Sequence, residues 1–231
     1  MRAIDFLPVV AIVGTLVSFE SEAAIPGTAT AASVYEVTIT QVDLCTSAAC
    51  TTTFLLGAGS QAFDIAAATS GADVGGYIDD LNIPLFQIFT HVRATISTTI
   101  SLGGTWTDGD GDACGTSNET TASNHNALYA ASAGGTATAE NFVIPDVGFQ
   151  GTVNQADYDG FNLSKSASAA TATITFPLTS SYVNKGVSPR IEVQFNTSSA
   201  FGFVDGTAAG AGTACQAFPR PPEVTITITD P

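Results

Sequence analysis

Between Phe86 and Leu102 the chain alternates for most of its length. Phe86, Ile88, Val92, Ala94, Ile96, Ile100 and Leu102 take even positions, while Gln87, His91, Arg93, Thr95, Ser97, Thr99 and Ser101 take odd ones. A period of two puts these apolar side chains on one face of an extended strand, whereas a helix would scatter them around its circumference. Fully extended, this segment would reach about 56 Å at ~3.3 Å per residue. That exceeds an ordinary strand, so the pattern predicts a bend or bulge near Thr90, or a strand passing between two sheets.

The same period recurs along the chain. Tyr35, Val37 and Ile39 alternate within 33–42, and short apolar segments at 51–56 and 61–65 flank Gly57-Ala-Gly59. Ala170 to Leu178, Ile191 to Phe195 and Val224 to Ile228 repeat the theme, with shorter candidates at 141–144, 147–153 and 201–204. Threonine is frequent on the polar faces, where its branched side chain suits the pleat. A helical period is nowhere sustained, and Asp73–Leu81 is expected to form at most a turn or two of helix. About eight to ten strands joined by Gly- and Ser-rich turns predict an all-β antiparallel sandwich of jelly-roll type. Residues 130–139 and 205–214 read as Ala/Gly/Thr-rich loops.

The N-terminus carries Arg2, an apolar run from Phe6 to Phe19, and small residues Ser21 and Ala23 before Ala24. This is the pattern of a secretory signal peptide over residues 1–23. The run is about 14 residues, short of the ~20 needed to span a bilayer. Residues 24–32 then form a small-residue arm expected to be free, and 33–231 a single domain. Export to the cell surface or beyond is the expected localisation, with no membrane insertion after cleavage.

Four cysteines suit that compartment. Cys45 and Cys50 bracket a tight loop and are expected to pair, which leaves Cys114 with Cys215. The formal net charge is −15, from 6 Lys+Arg against 21 Asp+Glu. So few cations exclude nucleic acid as a partner, since phosphate binding draws on clustered Lys and Arg.

The segment Thr107–Glu119 carries the clearest chemistry. Asp108, Asp110 and Asp112 alternate, and Glu119 falls twelfth counted from Asp108. Calcium loops use oxygens at positions 1, 3 and 5 and a closing carboxylate at 12. Ala113 stands where an EF-hand has glycine, and no helices flank the loop. It resembles the calcium turns of secreted β domains. A solvated acidic turn is the competing reading, as Asp and Gly are ordinary turn formers.

Catalytic signatures are absent: no Gly-x-Ser-x-Gly, no HExxH and no phosphate-binding loop. His91 reads as a surface residue and His125 as part of a polar loop. Asp79-Asp80 and Asp157/Asp159 read as surface turns, although a secreted hydrolase with an acidic pair is conceivable. Asn118, Asn162 and Asn196 begin formal glycosylation triplets.

Taken together, the strand pattern, export signal, low charge and small-residue arm of the mature chain resemble secreted β-sandwich filament subunits, such as TasA-like matrix fibres and donor-strand pilins. The resemblance implies a non-enzymatic homopolymer in which an arm from one copy adds a strand to the next. Residues 24–32 are the favoured donor and Val224–Thr229 the other. The alternative is a calcium-dependent carbohydrate-binding module or adhesin, with Trp106 and His125 beside the acidic loop.

Overall fold

A computed structural model describes residues 28–67, 83–107, 113–116, 129–133, 136–148, 153–187, 189–205 and 215–230. The chain is all-β. In order, its strands are β1 (Thr28–Thr30), β2 (Val34–Cys45), β3 (Thr53–Asp64), β4 (Ile88–Ser97), β5 (Thr99–Gly103), β6 (Thr105–Thr107), β7 (Ala113–Gly115), β8 (Tyr129–Ala133) and β9 (Glu140–Val143). A short helix α1 (Gln155–Gly160) precedes β10 (Leu163–Ser164), β11 (Thr171–Val183), β12 (Arg190–Asn196), β13 (Phe201–Asp205), β14 (Cys215–Pro219) and β15 (Glu223–Thr229).

Two sheets result. The six-stranded one runs β1-β13-β14-β8-β7-β6, and the nine-stranded one runs β12-β15-β11-β4-β2-β5-β9, with β3 on β2 and β10 on β11. The larger sheet is mixed, because β11 and β15 are parallel. Tyr35, Ile100, Leu102 and Phe142 of the larger sheet share one apolar cluster with Phe201 of the smaller. A second cluster gathers Leu44, Leu56, Phe89, Val92, Leu178 and Ile226.

The long alternating segment is interrupted twice. Near Thr90, Phe89 lies opposite Tyr182 while His91 lies opposite Pro177, so four residues of β11 oppose one of β4. Pro177 has no N–H to give the ladder, which suits a bulge. The bulge changes the parity of the buried face: Phe89 is fully buried, and Val92 and Ile96 follow it inside. Phe86 and Ile88, which simple alternation placed inward, are instead exposed. The second break is Thr98. Its N–H donates to the Ala170 carbonyl (2.9 Å), and its own carbonyl accepts from Ile144 N (2.8 Å). At that residue the strand exchanges β11 for β9 as its neighbour.

The chain changes sheets just beyond, at Gly104. A β-carbon there would come within 2.6 Å of the Phe201 ring. Glycine thus lets the fully buried Phe201 lie directly against the backbone at the crossover.

Other expectations are revised. The two apolar segments around Gly57-Ala-Gly59 are one continuous strand, β3. Tyr129–Ala133 is a strand although its alanines and serine show no alternation. Thr28–Thr30, expected to be unpaired, forms an edge strand antiparallel to β13. The helix α1 is started by Asn154, whose side chain accepts from Asp157 N while Asp157 accepts from Asn154 N, a capping box. Asp157 is therefore a buried cap and not a surface turn. The Asp73–Leu81 segment lies outside the described residues. Among the described residues, no helix is long and apolar enough to cross a membrane.

Candidate functional site

The feature that stands out is an apolar groove along the larger sheet, and strand register builds it. Phe195 lies opposite Val224, and Val193 opposite Ile226. Phe176 faces Val92 and Ile174 faces Ala94. Val42 also faces Ala94, and Ile39 faces Ile96. Residues directly opposite in a ladder share a face. Each of these rows is apolar, so one face becomes a nearly unbroken hydrocarbon surface from β12 across to β2.

That surface is incompletely covered. The groove encloses about 240 Å³ and is walled by these side chains together with Pro219, Pro221 and Pro222 before β15 and Ile144 and Pro145 after β9. Val37, Ile39, Ala94, Ile174, Phe176, Ile191, Val193, Phe195 and Val224 are all only half-buried. Small-molecule clefts usually enclose ~300–1,000 Å³ and place a few convergent polar groups against their ligand. This groove is narrower and its polar groups are already committed. The Tyr35 hydroxyl donates to the Arg220 carbonyl at 3.2 Å, and burial raises that phenol far above its usual range, so it stays a donor. The Asp157 carboxylate accepts from Asn154 N at 2.7 Å. What remains suits apolar side chains of a chain segment.

The groove also reaches an edge of the sheet. Among the described residues, β12 pairs only with β15. Its Ile191, Val193 and Phe195 line the groove, while Glu192 and Gln194 alternate away from them. A strand added beside β12 would gain main-chain hydrogen bonds and place every second side chain over the groove.

The residues singled out from sequence fare unevenly. Cys45 and Cys50 are joined, with Cα atoms 4.9 Å apart, and close the turn between β2 and β3. The backbone places Cys114 on β7 and Cys215 on β14, the two strands that flank β8; the pairing of their side chains lies outside what is described. Asp108, Asp110, Asp112 and Glu119 lie outside the described residues, as do Asp79, Asp80, Asn118 and His125. Residues 108–112 connect β6 to β7, which pair antiparallel. Among the described residues, no group of three or more His, Cys, Asp or Glu is placed to hold a metal. His91 is half-buried on β4, its Nδ1 2.8 Å from the Thr90 hydroxyl. Trp106 packs against the cluster around Phe201.

Two buried polar arrangements escaped the sequence reading. Asp43 is almost fully buried, paired with Arg93 at 3.0 Å and accepting from Gln41 Nε2. Lys165 is paired with Asp146, and its side chain is wholly inaccessible to solvent. Neither pairing is local in sequence, so no spacing signals it.

Comparison with protein-family models, with characterised proteins and with solved structures finds no match to this chain.

Proposed function

We propose that this protein is a structural subunit of an extracellular filament or surface matrix, with each copy donating a strand to the next. The half-covered apolar groove beside the open edge of β12 carries the reading. It offers burial and main-chain pairing, the two contributions strand addition uses.

The favoured donor is the arm 24–32 of a neighbouring copy. Of its alternate residues Ile25, Gly27, Ala29 and Ala31, the last three are small, in keeping with a groove of about 240 Å³. Pairing of Thr28–Thr30 with its own β13 is the closed alternative that donation must displace, and among the described residues it spans three residues. Val224–Thr229 is the weaker donor, because it already lies between β11 and β12 of its own chain. Donation from one surface to a different one is heterologous, which generates an open fibre when the rotation between copies does not close into a ring. In this reading the two sheets form a jelly-roll sandwich, residues 1–23 direct export, and the Asp108–Glu119 turn binds calcium as a stabilising element.

The test is electron microscopy of residues 24–231 in millimolar calcium, beside the same chain lacking 24–32. Filaments from the first and monomers from the second are expected. Filaments from both would remove the arm from the proposal, and monomers from both would overturn assembly by strand donation.

A further inference from the structure

The buried Lys165–Asp146 pair has the makings of a covalent bond. We propose that the Lys165 amine and the Asp146 carboxyl condense into an intramolecular isopeptide bond. The inference is independent of filament assembly.

Three features of the pair carry it. First, Nζ of Lys165 is in direct contact with Oδ1 of Asp146, and the lysine side chain is fully shielded from solvent. A flexible, strongly hydrated ammonium is rarely buried in this way, since desolvation costs several kcal/mol before pairing offsets it. Second, the carboxyl is oriented by the backbone. Ser168 N donates to both of its oxygens, at 3.0 Å each. Ser168 holds a φ of +56°, a left-handed conformation that costs a non-glycine residue energy. Third, the surroundings are tightly organised. Tyr158, itself buried, donates its hydroxyl to the carbonyl of Pro145, the residue before Asp146. Burial and then the Asp146 charge push that phenol up to about 12, so it remains a donor at neutral pH.

The chemistry balances within the pair. One ammonium proton passes to the carboxylate, giving a neutral amine and a carboxylic acid. The Nζ lone pair then attacks Cγ, and the new oxyanion is met by the Ser168 N–H, in the manner of an oxyanion hole. A second proton moves from Nζ to the hydroxyl oxygen. The C–O bond breaks, water leaves, and the third proton stays on the amide nitrogen. No oxidant, metal or co-reactant enters. Permanent contact supplies the high effective concentration that amide formation in water lacks, and exclusion of solvent opposes hydrolysis. The product ties the loop after β9 to the segment after β10.

Mass spectrometry of the reduced, denatured full chain tests this directly. The expected spectrum falls one water short of the sequence mass, and trypsin leaves the Lys165–Ser166 bond uncut because the lysine is acylated. Lys165→Arg and Asp146→Ala should each restore the full mass, and in both variants trypsin should cut after position 165. A wild-type chain of full mass that is cut after Lys165 would show an ion pair only and overturn the proposal. A one-water deficit with normal cleavage at Lys165 would mean dehydration elsewhere, such as a succinimide, and overturns it equally.

Discussion

Filling the groove from within should stabilise the monomer and block assembly. Ala94 is the position to use, because it lies at the centre of the apolar face, opposite Ile174 on β11 and Val42 on β2. Ala94→Leu adds three carbons to a surface now half-covered. At ~0.8 kcal/mol per buried carbon the gain is at most about 2.4 kcal/mol. Leucine gives up ~0.5–1 kcal/mol of rotamer freedom, and the groove stays partly open, so a net gain of about 1 kcal/mol is expected. For a chain of this length that raises Tm by roughly 2–4 °C. The assay pairs a thermal melt of the monomer with electron microscopy or sedimentation of the assembled material. The expected result is a more stable monomer and few or no filaments. A loss of ~1–3 kcal/mol, the signature of overpacking, with filaments unaffected, would mean that the space is already filled in solution. A stabilised monomer that still assembles normally would remove the groove from the interface.

Four further expectations follow from individual contacts. The fully buried Thr116 accepts at Oγ1 from Gly104 N and Thr138 N and donates to the Thr138 carbonyl at 2.6 Å; Thr116→Val leaves those groups unpaired and should cost about 2–4 kcal/mol in urea unfolding. Replacing Cys45 and Cys50 by serine removes a small-loop constraint and should cost about 2 kcal/mol by the same measurement. Burial raises the Tyr158 phenol, and the Asp146 charge, where it is not condensed, carries it up to about 12. The unfolded chain therefore ionises first as pH rises past 10, and stability should fall as pH climbs from 10 towards 12. In Tyr158→Phe, alkaline titration of stability should lose that component of the slope. Millimolar calcium should raise Tm, and Asp110→Asn with Asp112→Asn should abolish the rise; an unchanged Tm in the wild type would assign the acidic loop to a solvated turn.

The strands were legible wherever side chains alternate between large apolar and polar, as in β11, β12 and β15. Tyr129–Ala133 was not, because small residues leave no periodic signal even when their backbone pairs with β14. Parity was misread at Phe86 and Ile88, since the β11 bulge opposite Thr90 exchanges the two faces without a mark in β4 itself. The capping sequence Asn154-Gln-Ala-Asp157 stood in plain view, yet six residues of helix are too few to show a hydrophobic period. The acidic spacing from Asp108 to Glu119 was plain, while any geometry it takes lies outside the described residues. The groove was legible only in pieces. Each strand announces its own apolar face, but whether those faces are covered depends on register across five strands, and no single segment encodes that.

The arrangement of β12 bears on why such a surface would exist. An edge strand offers unpaired N–H and C=O groups, and monomers usually blunt edges with inward charges, proline or brevity. β12 runs from Arg190 to Asn196 with none of these devices on its groove side. Its charged and amide side chains, Glu192 and Gln194, alternate onto the opposite face, where Gln194 donates to Glu192. Leu85, Phe86 and Ile88 add exposed apolar side chains elsewhere on the same molecule. A chain selected to remain solitary gains nothing from an unblunted edge beside a hydrocarbon groove, whereas a subunit needs both, because the edge specifies direction and the groove specifies register. Charge on the groove side should therefore act on assembly far more than on folding. Val193→Lys should leave the monomer within about 1 kcal/mol of wild type, because the side chain is already half-exposed and its ammonium can stay in water, yet prevent filament growth. Equal loss of fold and filament in that variant, read by urea unfolding beside microscopy, would mean that Val193 belongs to the monomer's own core.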